Sequence, residues 1–150
     1  MKLCLVCSSG GHFLQLHSLK ELWREYERFW VTFPHKDTQF LLQNEKKYWA
    51  NYPTNRNIKN LIKNIFLAWK ILIKKEKPDI VISTGAGVSV PFIYIARLVG
   101  IKTVYIESLA RINNLSLSGK LVYPLAQYFL VQWPELAKKY QKAKFVGQVT

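Results

Sequence analysis

Acidic residues are scarce in this 150-residue chain: nine Asp and Glu stand against 22 Lys and Arg, a formal charge of +13. An excess of that size points to an anionic partner, whether nucleic acid, a membrane face or a phosphorylated substrate, and by itself does not choose among them. Cysteine is nearly absent, and its two copies exclude a disulfide framework. Cys4 and Cys7 share the first apolar run, where three-residue spacing on a strand sends their side chains to opposite faces. A redox pair needs a thiolate at a helix N-terminus instead, so both read as core thiols. No uninterrupted apolar run approaches the roughly 20 residues that span a bilayer, because lysines break each candidate. Membrane contact, if made, is expected to be peripheral. Met1 leads within one residue into the first strand and leaves no space for a secretory leader, which predicts a cytosolic chain. With no repeat, no low-complexity tract and no Pro/Gly/Ser-rich linker, the expectation is one domain over residues 1–150.

What is present is a large apolar complement, 49% of residues, and 14% aromatics, enough for a real core. Short β-rich runs alternate with longer runs of helical spacing, the pattern of a parallel sheet covered by helices, so the class is α/β. Strands are expected at Lys2–Cys7, Arg28–Phe33, Asp79–Ser83, Lys102–Ile106 and Tyr128–Gln132, with a short last one at Lys144–Val146. A helix over His12–Glu25 carries Phe13, Leu16, Leu19, Leu22, Trp23 and Tyr26 close to a 3.6-residue repeat. From Pro34 to Asn57 the pattern supports only a short helix near Asp37–Asn44.

Three loops follow expected strands. The first, Ser8-Ser9-Gly10-Gly11-His12, lies between a strand and a helix. Two glycines allow the backbone to come close to a ligand, and the N–H groups of the helix start favour an anion such as a phosphate or diphosphate. A tight strand-to-helix connection with serine caps and no ligand explains the same residues. His12 would stand at the crevice rather than in the core. The second, Thr84 to Pro91, repeats the design with Gly85, Gly87 and Ser89, but Val90 occupies the third glycine position of a dinucleotide fingerprint. Gly119-Lys120 is followed by Leu121, so there is no Walker motif. Neither a cofactor nor a metal is expected. The third loop is Glu107-Ser108-Leu109-Ala110-Arg111; on parallel neighbouring strands all three would form one crevice, although Glu107 and Arg111 could simply pair with each other.

Between Arg56 and Lys77 seven basic residues face one acid, Glu76, over what reads as one long helix. At about 100° per residue, Ile58, Leu61, Ile62, Ile65, Phe66, Trp69, Leu72 and Ile73 cover one arc, read as core, beside a row that includes Lys59, Lys63, Lys70 and Lys74. Leu67 and Ile71 fall beyond that row and are expected to be exposed. Lysines flanked by exposed apolar groups suit an anionic lipid surface; an ordinary solvated face, with Leu67 and Ile71 covered by another segment, is the alternative. Nucleic acid is not expected as a partner, because no binding motif is present and Trp23, Trp30, Trp49 and Trp69 sit in apolar runs that read as core.

Taken in order, Val6-Cys7-Ser8-Ser9-Gly10-Gly11-His12, the run from Pro78 to Gly87 and Ile106-Glu107-Ser108-Leu109-Ala110-Arg111 resemble the membrane-associated subunit of two-chain glycosyltransferases. These comprise the PssD type of capsular and exopolysaccharide assembly and its counterpart in dolichol-linked oligosaccharide synthesis; the N-terminal half of MurG is similar at a greater distance. The resemblance implies a GT-B N-terminal half-domain, a Rossmann-like parallel sheet with helices on both faces. It further implies a lipid-diphosphate-linked sugar acceptor, and a second subunit that binds the UDP-sugar. On that basis Ser9, Gly10, Gly11, Gly85, Gly87, Ser89, Ser108 and Arg111 would serve the acceptor diphosphate, with His12 first and Glu107 second as base for an inverting transfer. The first loop has fewer glycines than that of MurG, and the membrane helix of the eukaryotic subunit has no counterpart. The basic helix (Lys59, Lys63, Leu67, Lys70, Ile71, Lys74) would take its place at the cytoplasmic face of the cell membrane. A non-catalytic scaffold that recruits the transferase is the rival reading.

Overall fold

The computed structural model describes residues 1–149. Seven strands, β1 (Lys2–Cys7), β2 (Glu27–Thr32), β3 (Lys47–Trp49), β4 (Ile80–Gly85), β5 (Lys102–Ile106), β6 (Tyr128–Val131) and β7 (Ala143–Phe145), form one sheet of order β3-β2-β1-β4-β5-β6-β7. Every pairing is parallel. The expected strands are all present to within a residue or two, and the short edge strand β3 is additional. Alternate residues feed two cores. Cys4, Val6, Phe29, Val31, Val81, Tyr105 and Phe129 face one side, and Leu3, Leu5, Cys7, Trp30, Ile82 and Ile106 the other. Cys4 and Cys7 are thus on opposite faces, free and fully buried, and burial pushes the Cys7 thiol up to about 12.

On the second face lie α1 (Gly11–Ser18) and α2 (Lys20–Trp23), which replace the single helix expected over His12–Glu25. The break has a local cause. The Leu16 carbonyl accepts from the Trp23 indole N–H at 3.0 Å and from the Leu19 amide at 3.2 Å, so it is unavailable to continue the helix. Leu22 and Tyr26, expected on its apolar face, are exposed. A short helix, α3 (Lys36–Leu41), precedes β3.

On the first face, α4 (Ile58–Trp69) continues into a π-helical turn, Lys70–Lys75, and packs beside α5 (Ser89–Leu98). Its orientation overturns the expected core stripe. Asn64, Ala68, Ile71 and Leu72 are buried, whereas Ile58, Leu61, Ile62, Ile65, Phe66 and Trp69 are exposed. Ile71, expected outside, is fully buried, and Leu67 packs half-buried against the core. The cause is polar. Asn64 Oδ1 accepts from the Asn51 backbone N–H at 2.9 Å and from its Nδ2 at 3.1 Å, and Asn64 Nδ2 donates to the Asn51 carbonyl at 3.0 Å. Turning the isoleucines inward would break this exchange, at about 1–3 kcal/mol for each polar group left buried without a partner. Ala68 is small enough to keep α4 close to α5. Trp49 and Trp69, read as core, are exposed, Trp49 on the edge strand β3 and Trp69 on the outward side of α4.

At the opposite end of the sheet the buried Glu76 carboxylate receives Lys2 Nζ at 2.6 Å, Lys46 Nζ at 2.7 Å and the Tyr48 hydroxyl, tying β1 and β3 to the end of the π turn. Burial pushes its pKa up, but these three donors outweigh burial and hold it at about 2, below an ordinary 4.5. A depressed folded value stabilises the fold above pH 4.5, and that contribution is lost as pH falls from about 4.5 to about 2. Glu76→Gln should therefore flatten the acid limb of a pH–stability curve by about 3 kcal/mol, measured by urea unfolding between pH 2 and 6.

Candidate functional site

The chain leaves β1 toward β2 and β3, then crosses back to β4 and onward to β7, so strand order reverses between β1 and β4. Loops at the carboxyl ends of two strands diverge there, which is where open α/β sheets bind ligands. His12 spans this point. Its Nδ1 lies 2.9 Å from the Thr84 carbonyl, and the Thr84 hydroxyl donates to the His12 carbonyl at 2.6 Å. A carbonyl only accepts, so Nδ1 carries the proton and Nε2 of the neutral ring is left as the free acceptor. Gly85 makes this possible: with φ at +123°, a Cβ there would come to 2.9 Å from His12 Nδ1 and 3.3 Å from the Tyr105 hydroxyl. The missing side chain is what seats the imidazole.

The other expected contacts divide. In the first loop, the Gly10 N–H donates to Asp37 at 2.8 Å and the Ser9 hydroxyl meets His35 Nδ1 at 2.5 Å, so side chains of the protein already occupy both groups. Gly11 is open. In the second loop, Ala86 takes a left-handed φ of 73°, and Ser89 is fully buried with its hydroxyl donating to the Ala86 carbonyl at 2.6 Å. Ser89 therefore shapes the turn and does not face the cleft. Gly87 lies against Thr54, where a Cβ would come within 3.0 Å.

Glu107 is fully buried. Its Oε1 accepts from the Ser108 N–H at 2.9 Å and its Oε2 from the Ser116 N–H at 2.9 Å, while the Ser116 hydroxyl reaches both oxygens at 3.0 Å. Those bonds close the loop 108–116 onto the end of β5, just before α6 (Leu117–Val122), which Ser116 caps. A Cβ on Gly119 would collide with the same carboxylate, so α6 can approach only because that residue is glycine. Gln132 Nε2 fixes the other side by donating to the Glu107 carbonyl at 2.9 Å. Glu107 and Arg111 do not pair among the described residues: the carboxylate turns inward, and Arg111 turns out to the cleft. With both oxygens engaged by three donors of the loop, the carboxylate is placed to position the loop rather than to take a proton from a ligand.

A cleft of about 820 Å³ opens between the second loop, the third loop and the segment entering α4. Its polar wall carries His12, Arg56, Ser108, Arg111, Ser116 and Ser118, and its apolar wall Ile58, Leu61, Val90, Leu117 and Leu121. Of the expected residues it gathers His12, Gly87, Ser108 and Arg111; Ser9, Gly10, Gly11, Gly85, Ser89 and Glu107 lie behind or beside it. Sequence reasoning missed Arg56, with a left-handed φ of 49°, and the polar run Thr54–Asn57 that leads into α4. The available signal was Asn57, whose side chain caps α4 by accepting from the Asn60 N–H at 3.0 Å.

Beside the cleft, the exposed apolar side of α4 is bordered by Lys59, Lys63, Lys70 and Lys74, all exposed. No helix among the described residues is long and apolar enough to cross a membrane.

Residues 51–149 match the family model described as oligosaccharide biosynthesis protein Alg14 like. The UDP-N-acetylglucosamine transferase subunit ALG14 of mouse is 32% identical over 148 residues, covering 90% of this chain and 63% of the relative. That of Debaryomyces hansenii is 31% identical over 168 residues, covering 93% and 72%. The human subunit is 43% identical over 84 residues, 52% of this chain and 39% of its own length, so the chain spans well under two thirds of several relatives. Among solved structures, Acinetobacter baumannii MurG superposes with a TM-score of 0.80 at 18% identity, over 99% of this chain and 46% of MurG. Methanocaldococcus jannaschii UDP-GlcNAc 2-epimerase, in complex with UDP-GlcNAc and UDP, gives 0.77 at 16% identity, over 99% and 47%. At such identities these two show the fold alone: the chain has the architecture of one half of a GT-B molecule.

Proposed function

Since the chain belongs to the Alg14-like family of oligosaccharide-biosynthesis proteins, we propose that it is the acceptor-side subunit of a two-chain inverting glycosyltransferase working at the cytoplasmic face of the membrane. In this reading residues 1–150 form a single GT-B N-terminal domain. The partner chain binds the UDP-sugar, UDP-N-acetylglucosamine by analogy with the relatives' names, and this chain presents the hydroxyl of a lipid-diphosphate-linked sugar. Capsular or exopolysaccharide assembly is the setting in this reading, although the motifs are shared with the dolichol-pathway subunit and the relatives named above are all of that type.

One observation carries the proposal: His12 is held by Thr84 with Nε2 free, at the strand-order switch, on the wall of a cleft that also holds two arginines. Deprotonating a sugar hydroxyl as it attacks the donor's anomeric carbon needs a base within hydrogen-bond reach, and the free ring nitrogen supplies one. Glu107 acts indirectly, by fixing the loop that carries Ser108 and Arg111. The apolar, lysine-bordered side of α4 supports docking on anionic lipid.

Purified alone, the chain should transfer no sugar from UDP-N-acetylglucosamine to a lipid-diphosphate acceptor; co-purified with its partner subunit it should. Robust transfer by the isolated chain would overturn the division of labour.

A further inference from the structure

Resting on that reading, we infer that Gln132 is a positioning residue for the transfer: its side-chain amide sets the third loop, which carries Ser108 and Arg111, against α1, which carries His12. Gln132 directly follows β6 and is fully buried. Its Nε2 donates to the Glu107 carbonyl at 2.9 Å and to Gln15 Oε1 at 3.1 Å, and its Oε1 accepts from the Val149 N–H at 2.7 Å. These partners belong to the end of β5, to α1 and to the segment that follows β7. A flipped amide would turn its oxygen toward the Glu107 carbonyl and its N–H groups toward the Val149 N–H, so one orientation alone satisfies all three. The Val149 N–H thus fixes which end of the amide faces the site, and both donors go into a bridge.

Gln15 lies one helical turn after His12, on the same side of α1. The bridge from Gln15 through Gln132 to Glu107 therefore joins the helix that holds the base to the strand end from which the third loop springs. The loop's other ties run away from α1: Trp133 Nε1 donates to the Leu109 carbonyl at 2.6 Å, and Lys139 Nζ, on α7 (Pro134–Lys139), to the Asn113 carbonyl at 3.2 Å. Among the described residues, only the Gln132 amide links this loop to α1 by hydrogen bonds. It follows that one amide sets how far His12 Nε2 stands from a hydroxyl held at Ser108 and Arg111. A misplacement of about 1 Å at reacting groups costs about 10²-fold in rate, and His12 keeps its bond to Thr84 when the bridge is cut, so the loss should be smaller than that.

Hydrogen exchange on the isolated chain reads the bridge without any transferase activity. In Gln132→Leu, a change of similar volume, the Ser108 and Ser116 amides that donate to Glu107 should exchange about tenfold faster or more, while those of β1 and β4 stay protected. Unchanged exchange would overturn the proposal. Gln15 supplies the test on turnover, because it is half-buried and its replacement leaves the loop's own bonds in place. Gln15→Met removes the acceptor, and in the two-chain complex kcat should fall about tenfold while the acceptor KM changes by less than about threefold. Gln15→Glu keeps an oxygen for Gln132 Nε2 and should retain the wild-type kcat. With unfolding midpoints matched, a residue that only supports the fold shows no such difference, so equal kcat in Gln15→Met and Gln15→Glu would also overturn the proposal. Absence of transfer by the wild-type complex would instead sink the acceptor-subunit reading, and the exchange rates of the isolated chain would still decide the bridge.

Discussion

Phe66→Glu combined with Trp69→Glu should release the protein from phosphatidylglycerol vesicles, weakening partition by about 10²–10³-fold in a sedimentation assay. Phe66 is 70% exposed and Trp69 46%, so neither is needed by the core, and the double variant should keep its unfolding midpoint. Inserting two such side chains into the headgroup boundary is worth about 1–2 kcal/mol each, and carboxylates in their place add repulsion from the anionic surface. Together these give about 3–4 kcal/mol, the stated factor. Lys59, Lys63, Lys70 and Lys74 add an electrostatic share, about 1 kcal/mol per lysine near the surface, that salt removes, so wild-type binding should fall with ionic strength without vanishing. Vesicle binding unchanged by the double variant would mean that the apolar side of α4 is covered by protein.

His12→Ala should lower kcat of the two-chain complex by about 10²–10⁴-fold, with the acceptor KM changed much less. The imidazole also bridges the strand switch, so alanine removes a structural bond along with the base. His12→Asn separates the two effects: its side-chain amide can still donate to the Thr84 carbonyl but offers no ring nitrogen. If Asn restores the wild-type unfolding midpoint while kcat stays low, the ring nitrogen is the base. Unchanged turnover in both variants would favour the non-catalytic scaffold.

The difference between what was legible and what was not follows from how local each signal is. Short apolar runs located β1, β5 and β6 closely: β1 is buried on both faces after Lys2 and reads as a continuous run, while β5 and β6 alternate a buried face with a partly exposed one. β3 escaped because Lys47–Trp49 is an edge strand of three residues with no buried member to mark it. The glycine turns were visible, yet their occupants were not: Asp37 on Gly10, the imidazole beside Gly85 and Thr54 against Gly87 all come from distant segments.

Helix α4 is the sharpest case. Its periodicity correctly divided apolar from basic residues, but a periodicity carries no information about which side meets the sheet. Asn51 and Asn64 decided that through three hydrogen bonds across 13 residues, and they turned the isoleucines outward. Composition and strand and helix spacing were enough, by themselves, to establish a parallel α/β sheet whose first, second and third loops leave the carboxyl ends of their strands, since these depend on neighbours along the chain. Which rim residues face the cleft, the pairing of Glu107 with Ser116 rather than Arg111, and the outward turn of α4 were decided only by tertiary structure. Each depends on a buried polar group finding a partner far away in sequence, and no local pattern records that partner.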